Sequence, residues 1–231
     1  MPSTFVWGTQ VFLLILLTVN INVNVWLGLL LQVFSFAGSP YPNLVGFIDG
    51  TACPICRPKV NQWDQYSGYK KQHIQKYQSI LLPNGLIEKM DGPFNGQRHS
   101  AITWLSGLLD ILKKKFVMND GSWFCLYGDP GYRNQKFIKV GYKNHHRLNQ
   151  QQMDFNSKMS ALRVHVEYGF GNILQQFAFI DFKKNQKLLL QPQKKYYIVC
   201  ALLCNCHTCL KGSQIAEYFP CEPPILEEYF A

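Results

Sequence analysis

Charge is scarce in this 231-residue chain: Asp, Glu, Lys and Arg together make up 16% of it, against 47% hydrophobic residues. That balance excludes a disordered polyelectrolyte and leaves a chain long enough to bury one substantial core. Acids are scarcer still, 14 against 23 basic residues, for a formal net charge of +9. Such an excess points to a polyanionic partner, nucleic acid first and an acidic membrane surface second. No framework of evenly spread, loop-borne cysteines is visible. Of the eight cysteines, Cys125, Cys200 and Cys204 sit in apolar runs, as reduced thiols do, so a reducing compartment is expected.

An uninterrupted membrane-length apolar run is also missing. Phe12 to Val19 and Trp26 to Phe36 are apolar, but Asn20, Asn22 and Asn24 lie between them. Each half is too short to span a bilayer, and Met1 to Gln10 has no basic residues of a signal peptide. A buried helix or strand is the expectation, a membrane-associated segment over 11–36 stays open as the alternative, and residues 1–44 read as an apolar extension of undetermined structure. There are no internal repeats and no linker that forces two domains.

What is present has a clear order. Val45 to Thr51 is an apolar run ending in an acid and a glycine turn, as a central strand does. Cys53 to Val60 carries Pro54 and Pro58 and reads as a loop. Tyr77 to Leu82 and Leu86 to Met90 flank a Pro83-Asn-Gly85 turn as two further strands. Ser100 to Phe116 repeats Ile102, Leu105, Leu108, Leu109 and Leu112 at helical spacing. Trp123 to Tyr127 is a compact strand entering the sharp turn Gly128-Asp-Pro-Gly-Tyr132. After a basic loop, Asn149 to Phe177 is helical by its apolar period, Tyr196 to Leu203 forms a last apolar element, and Pro220 to Ala231 reads as a loose acidic tail. The order predicts a mixed α/β domain over 45–211, followed by a C-terminal tail over 212–231.

Asp49 and Asp129 each follow an apolar strand, and side chains at strand ends face the crevice where ligands bind. Glu167 lies on the long helix, four residues after Arg163 and on the same face. Three acids brought together would repel unless a hard cation such as Mg²⁺ or Mn²⁺ joined them. Arg163 would then be free to contact a phosphate. Spacing leaves the alternative open: Asp129-Pro-Gly is a good turn in its own right, and Arg and Glu at i,i+4 often form a surface ion pair. Cys53-Pro-Ile-Cys56 and Cys206-His-Thr-Cys209 form a competing constellation, a zinc site closed by two distant knuckles. The pairs Lys70-Lys71, Lys183-Lys184 and Lys194-Lys195 and the run Lys113 to Lys115 suit either phosphate contacts or a solvated face.

The words of the sequence go further than their spacing. Phe47-Ile-Asp-Gly-Thr51 with Arg57-Pro58 resembles the first catalytic block of Harbinger-type DDE transposases. Tyr66 to His73 with Lys76-Tyr-Gln78, Gly92 to His99, Leu126 to Tyr132, and Phe155-Asn156 with Arg163 and Val166 to Phe170 are similar to four further blocks in family order. The resemblance runs from about Val45 to Leu210. It implies an RNase H-like core, a mixed central sheet flanked by helices, with a divalent-metal nuclease site and DNA as substrate. Asp49, Asp129 and Glu167 would be the metal ligands, with His99 and Arg163 supporting near the scissile phosphate. A nuclear location follows from that substrate, with a cytoplasmic one as the alternative. A separate DNA-binding protein and a second copy of the chain are the further partners it raises.

Two departures matter. Ser100 stands where the family commonly has an aspartate after the loop histidine. Only about forty largely apolar residues precede Asp49, where family members usually carry a helical DNA-binding part. The alternative is therefore a catalytically inactive, transposase-derived DNA- or protein-binding protein.

Overall fold

The computed structural model describes residues 23–97, 108, 110–118, 120–143, 147–183, 186–188 and 190–230. The fold is mixed α/β: a curled six-stranded sheet with helices against both faces. The strands are β1 (Leu44–Pro54), β2 (Tyr66–Ser67), β3 (Gln72–Leu81), β4 (Ile87–Asn95), β5 (Cys125–Gly128) and β6 (Ile138–Val140). They are ordered β2-β3-β1-β5-β6, with β4 pairing β3. The β1–β3, β2–β3 and β3–β4 pairs are antiparallel; β1, β5 and β6 are parallel.

The central strand is β1, and its sequence explains why. Leu44 to Ile48 are all buried, as expected of a strand covered on both faces. Residues two apart share a face, so Phe47 enters the core cluster on one side and Ile48 the cluster on the other. Asp49 shares the parity of Phe47, as Asp129 shares that of Tyr127 on the neighbouring strand, and Phe47 pairs with Tyr127 in register. Both acids therefore belong to the same face of the sheet.

That face is covered by the helices α3 (Gln150–Gln176) and α4 (Gln193–Lys211). Asn149 starts α3 with a capping box: its side chain accepts from the Gln152 amide at 2.8 Å, and the Gln152 side chain accepts from the Asn149 amide at 3.1 Å. Met159, Leu162, Phe170 and Ile173 of α3 are buried against the sheet. The opposite face is covered by Leu27 and Leu30 of α1 (Val23–Phe36), together with Leu108, Leu112 and Phe116 from around the helical stretch 110–115.

Several expectations shift. The strand expected from Tyr77 begins at Gln72, because the polar residues Gln75, Gln78 and Ser79 are themselves buried in the sheet. The loop expected from Cys53 begins two residues later, since Cys53 and Pro54 still pair with Gln75 and Ile74. The one-turn helix α2 (Gln62–Gln65) and the short strands β2 and β6 were not expected at all. Residues 220–230 are not loose. Helices α5 (Gln214–Tyr218) and α6 (Leu226–Phe230) fold back, burying Ile215, Phe219 and Tyr229, with the Phe219 ring against Phe34 and Phe47. Within the apolar N-terminal region α1 is helical, and Leu27, Leu30 and Phe34 are buried in the protein body. Among the described residues no helix is long and apolar enough to cross a membrane. Most of the helix expected at 100–116 lies outside the described residues.

Candidate functional site: two carboxylates bridged by an arginine

Asp49 sits mid-strand in β1 and Asp129 one residue beyond β5, on adjacent parallel strands. Each fixes one oxygen on its own backbone. Asp49 Oδ1 accepts from the Gly50 amide at 2.8 Å, and Asp129 Oδ1 accepts from the Gly131 amide. The second bond closes the Asp129-Pro-Gly-Tyr132 turn, whose Tyr132 amide also donates to the Asp129 carbonyl at 2.9 Å. Asp129 thus forms the turn that spacing suggested and still presents its other oxygen outward.

Those second oxygens converge on one group. Arg163, on α3, places its Nη2 3.6 Å from Asp49 Oδ2 and 3.6 Å from Asp129 Oδ2. The two oxygens can be no farther apart than twice that distance. Bare, the two carboxylates would repel one another. The guanidinium supplies the compensating charge. The expectation that Arg163 is free for phosphate differs from this arrangement, in which it is engaged by both aspartates. Burial grades across the site, with side-chain exposure of 16% for Asp49, 22% for Arg163 and 45% for Asp129. One acid is held inside and the other opens to solvent.

The floor of the site is buried and hydrogen-bonded. Tyr132 is buried, and its hydroxyl accepts from the Gln78 amide at 3.1 Å. Burial first, and then the neighbouring Asp49 charge, push its phenol above the usual range, so it stays neutral. Gly128 lets this ring approach: a Cβ there would stand 2.9 Å from both Ile48 Cγ2 and Tyr132 Cδ2. Burial also raises the Tyr127 phenol, opposed by the Arg163 charge.

Glu167 lies on α3 one turn beyond Arg163, and its side chain lies outside the described residues. His99 and Ser100 also lie outside them. Among the described residues no group of three or more His, Cys, Asp or Glu side chains gathers. That covers the two Cys-x-x-Cys pairs. Cys53 is buried and interacts with the Tyr197 side chain, whereas Cys56 donates to the Lys183 carbonyl at 3.1 Å. Cys206 and Cys209 lie near Tyr229 at the far end of α4. His165 stacks on Tyr218 with ring centroids 3.4 Å apart, a packing role. Sequence reasoning missed the coupling of Gln78 to Tyr132, though both fall within the quoted blocks.

The family model for the DDE superfamily endonucleases matches residues 48–205, more than half of the chain. The chain belongs to the DDE superfamily endonuclease family. The match opens one residue before Asp49, spans Asp129, Arg163 and Glu167, and closes at Asn205 within α4. No curated protein and no solved structure matches the chain. A DDE endonuclease domain points to a nuclease-type enzyme of transposase origin.

Proposed function

We propose that this chain is a divalent-metal-dependent DNA endonuclease of the Harbinger type, with an RNase H-like core over 45–211. The observation that carries the reading is the convergence of Asp49 Oδ2 and Asp129 Oδ2 on one cation, Arg163, within a matched endonuclease domain. The strand arrangement supports the RNase H-like assignment, with an antiparallel group to one side of β1 and parallel strands to the other.

The donor chemistry suits Mg²⁺ or Mn²⁺. Two carboxylates from neighbouring strands already occupy positions in which positive charge is needed, and Glu167 would add a third oxygen donor. When bound, such ions activate a water or a DNA 3′-hydroxyl and stabilise the departing oxygen. The work of the chain itself is positional. The Gly50 and Gly131 amides fix Oδ1 of each aspartate, so only Oδ2 remains to be directed. Arg163 balances the two charges in the resting protein and can turn its guanidinium to a phosphate once they are otherwise neutralised. His99 would orient that phosphate. A chain with 23 basic and 14 acidic residues favours DNA as the polyanion, and DNA in turn a nuclear setting. A separate DNA-binding protein or a second copy of the chain would supply target recognition.

Two observations favour a second reading, a catalytically inactive DNA- or protein-binding derivative. Arg163 stands between the carboxylates, and Ser100 replaces the usual aspartate. Nicking of supercoiled DNA by purified protein in Mg²⁺ or Mn²⁺ separates the two. Metal-dependent nicking lost in Asp129→Asn is the expected result. Folded protein that leaves the plasmid intact would favour the inactive derivative.

A further inference from the structure

Beyond the carboxylate site, an unusual surface lies where β1 ends and the β2–β3 hairpin begins. Trp63, Tyr66 and Tyr69 recur every third residue, and all three are exposed, Trp63 at 74% and Tyr69 at 82%. The residues between them are what hold this segment. Gln65 and Ser67 are buried, the Gln65 amide donates to Asn95 at 3.0 Å, and the Asp64 carbonyl accepts from the Gln97 amide at 3.0 Å. The backbone is therefore anchored while its aromatic residues stay exposed to water. Three such rings within seven residues exceed the scattered apolar exposure of an ordinary surface.

The charge around them has one dominant sign. Arg57, Lys59, Lys70 and Lys71 fall within residues 55–73, against a single acid, Asp64. Lys70 lies over the Tyr69 ring at 5.4 Å. Lys183 comes close from another part of the chain, its carbonyl accepting from Cys56. Burial first, and then the Arg57 and Lys183 charges, hold His73 below its usual pKa, while its ring meets Tyr66 edge-on with centroids 5.4 Å apart. Basic side chains interleaved with exposed rings fit a strand of unpaired bases, since stacking accepts any base and the cations take the phosphates.

The position is also apt. Asp49 lies five residues before the end of β1, roughly 17 Å at the rise of a strand. One nucleic-acid strand could thus reach both the carboxylates and the aromatic rim. We propose that this rim, built on Trp63, Tyr66 and Tyr69 with Arg57, Lys70 and Lys71, binds single-stranded DNA flanking the phosphate to be cut. The inference rests on the reading of DNA as substrate.

Fluorescence anisotropy with one labelled oligonucleotide, presented as a single strand or as a duplex to the full chain in chelator, tests it. Trp63→Ala with Tyr69→Ala should weaken single-strand binding about tenfold or more while moving duplex binding much less. Trp63→Phe with Tyr69→Phe should restore most of it. Lys70→Ala with Lys71→Ala should weaken both forms and flatten the salt dependence by about 1.5 in log–log slope. Single-strand affinity unchanged in the double alanine variant, with its thermal unfolding intact, would overturn the rim while leaving the nuclease reading standing. Conversion of a dimer to a monomer by that variant, without loss of DNA binding, would reassign the rim to a second copy of this chain. A wild-type protein that binds neither form would overturn both proposals.

Discussion

Arg163 is the residue on which the candidate site turns, because it is the cation that two strands share. Its pairs with Asp49 and Asp129 are at 3.6 Å and partly exposed, so each contributes at most about 1 kcal/mol. Arg163→Ala should therefore lower stability in chelator by roughly 1–2 kcal/mol, read from urea unfolding. Added Mn²⁺ should recover part of that loss, since it supplies the same charge. Gly128 limits the site sterically. Gly128→Ala must displace Tyr132 or Ile48, costing about 1–3 kcal/mol as overpacking does; an unchanged melting temperature would show that the floor yields. Asp129 was legible in the sequence because it follows a strand-forming run; Asp49 follows one too, but the glycine turn expected after it is absent, since Gly50 to Pro54 continue the pairing with β3. The Arg163 bridge was not, because helical spacing pairs Arg163 with Glu167 and carries no information about strands more than thirty residues away.

At the scale of elements, strength of local pattern decided what could be read. β5 is an apolar run that ends in a turn, and α3 has an N-cap and a long period, so each lies close to its expected place, whereas β1 begins where expected and runs on through Gly50 to Pro54. β6 is three residues in a basic stretch, too short to alternate visibly. The C-terminal segment misled for a different reason. Its prolines and glutamates have the composition of a tail, while its hold on the body comes from Phe219 and Tyr229, single anchors without periodicity. Phe219→Ala should accordingly cost about 3–5 kcal/mol, measured by denaturant unfolding; a cost below 1 kcal/mol would return the segment to the status of a tail. Asn205 ties three elements together. It accepts from the Ile87 amide, and its own amide group donates to the Ile87 carbonyl and the Tyr229 hydroxyl, each at 2.9 Å. Asn205→Leu strands both Ile87 groups in a buried setting and should cost about 2–4 kcal/mol.

For the whole molecule, pH is the lever that the fold makes available. Glu88, on β4, is partly buried as a residue, but its Oε1 is fully covered and without a hydrogen-bond partner. It lies beside Lys115 in a lining that includes Leu27, Leu108 and Leu112. Burial pushes its carboxyl up to about 8, against a smaller opposing pull from Lys115, and burial lowers Lys115 in turn. Between the ordinary value of 4.5 and about 8, the folded state keeps a proton that the unfolded chain has released. The contribution of Glu88 to stability must then fall as pH rises through that window, by at most about 1.4 kcal/mol per pH unit, and level off above it, while the lowered His73 and His165 contribute with the opposite sign. Glu88→Gln should flatten this slope relative to wild type in a series of melts; identical slopes would contradict the buried carboxyl.

One metal-holding nuclease centre formed by Asp49, Asp129 and Glu167 is the proposed arrangement. It is met most directly by calorimetric titration of Mn²⁺ into the folded full chain and into Asp49→Asn, Asp129→Asn and Glu167→Gln. Wild-type binding that weakens about tenfold or more in every one of the three variants, the loss of a charged ligand each time, is the predicted result. Mn²⁺ affinity untouched by all three substitutions, in proteins that unfold like the wild type, would contradict it.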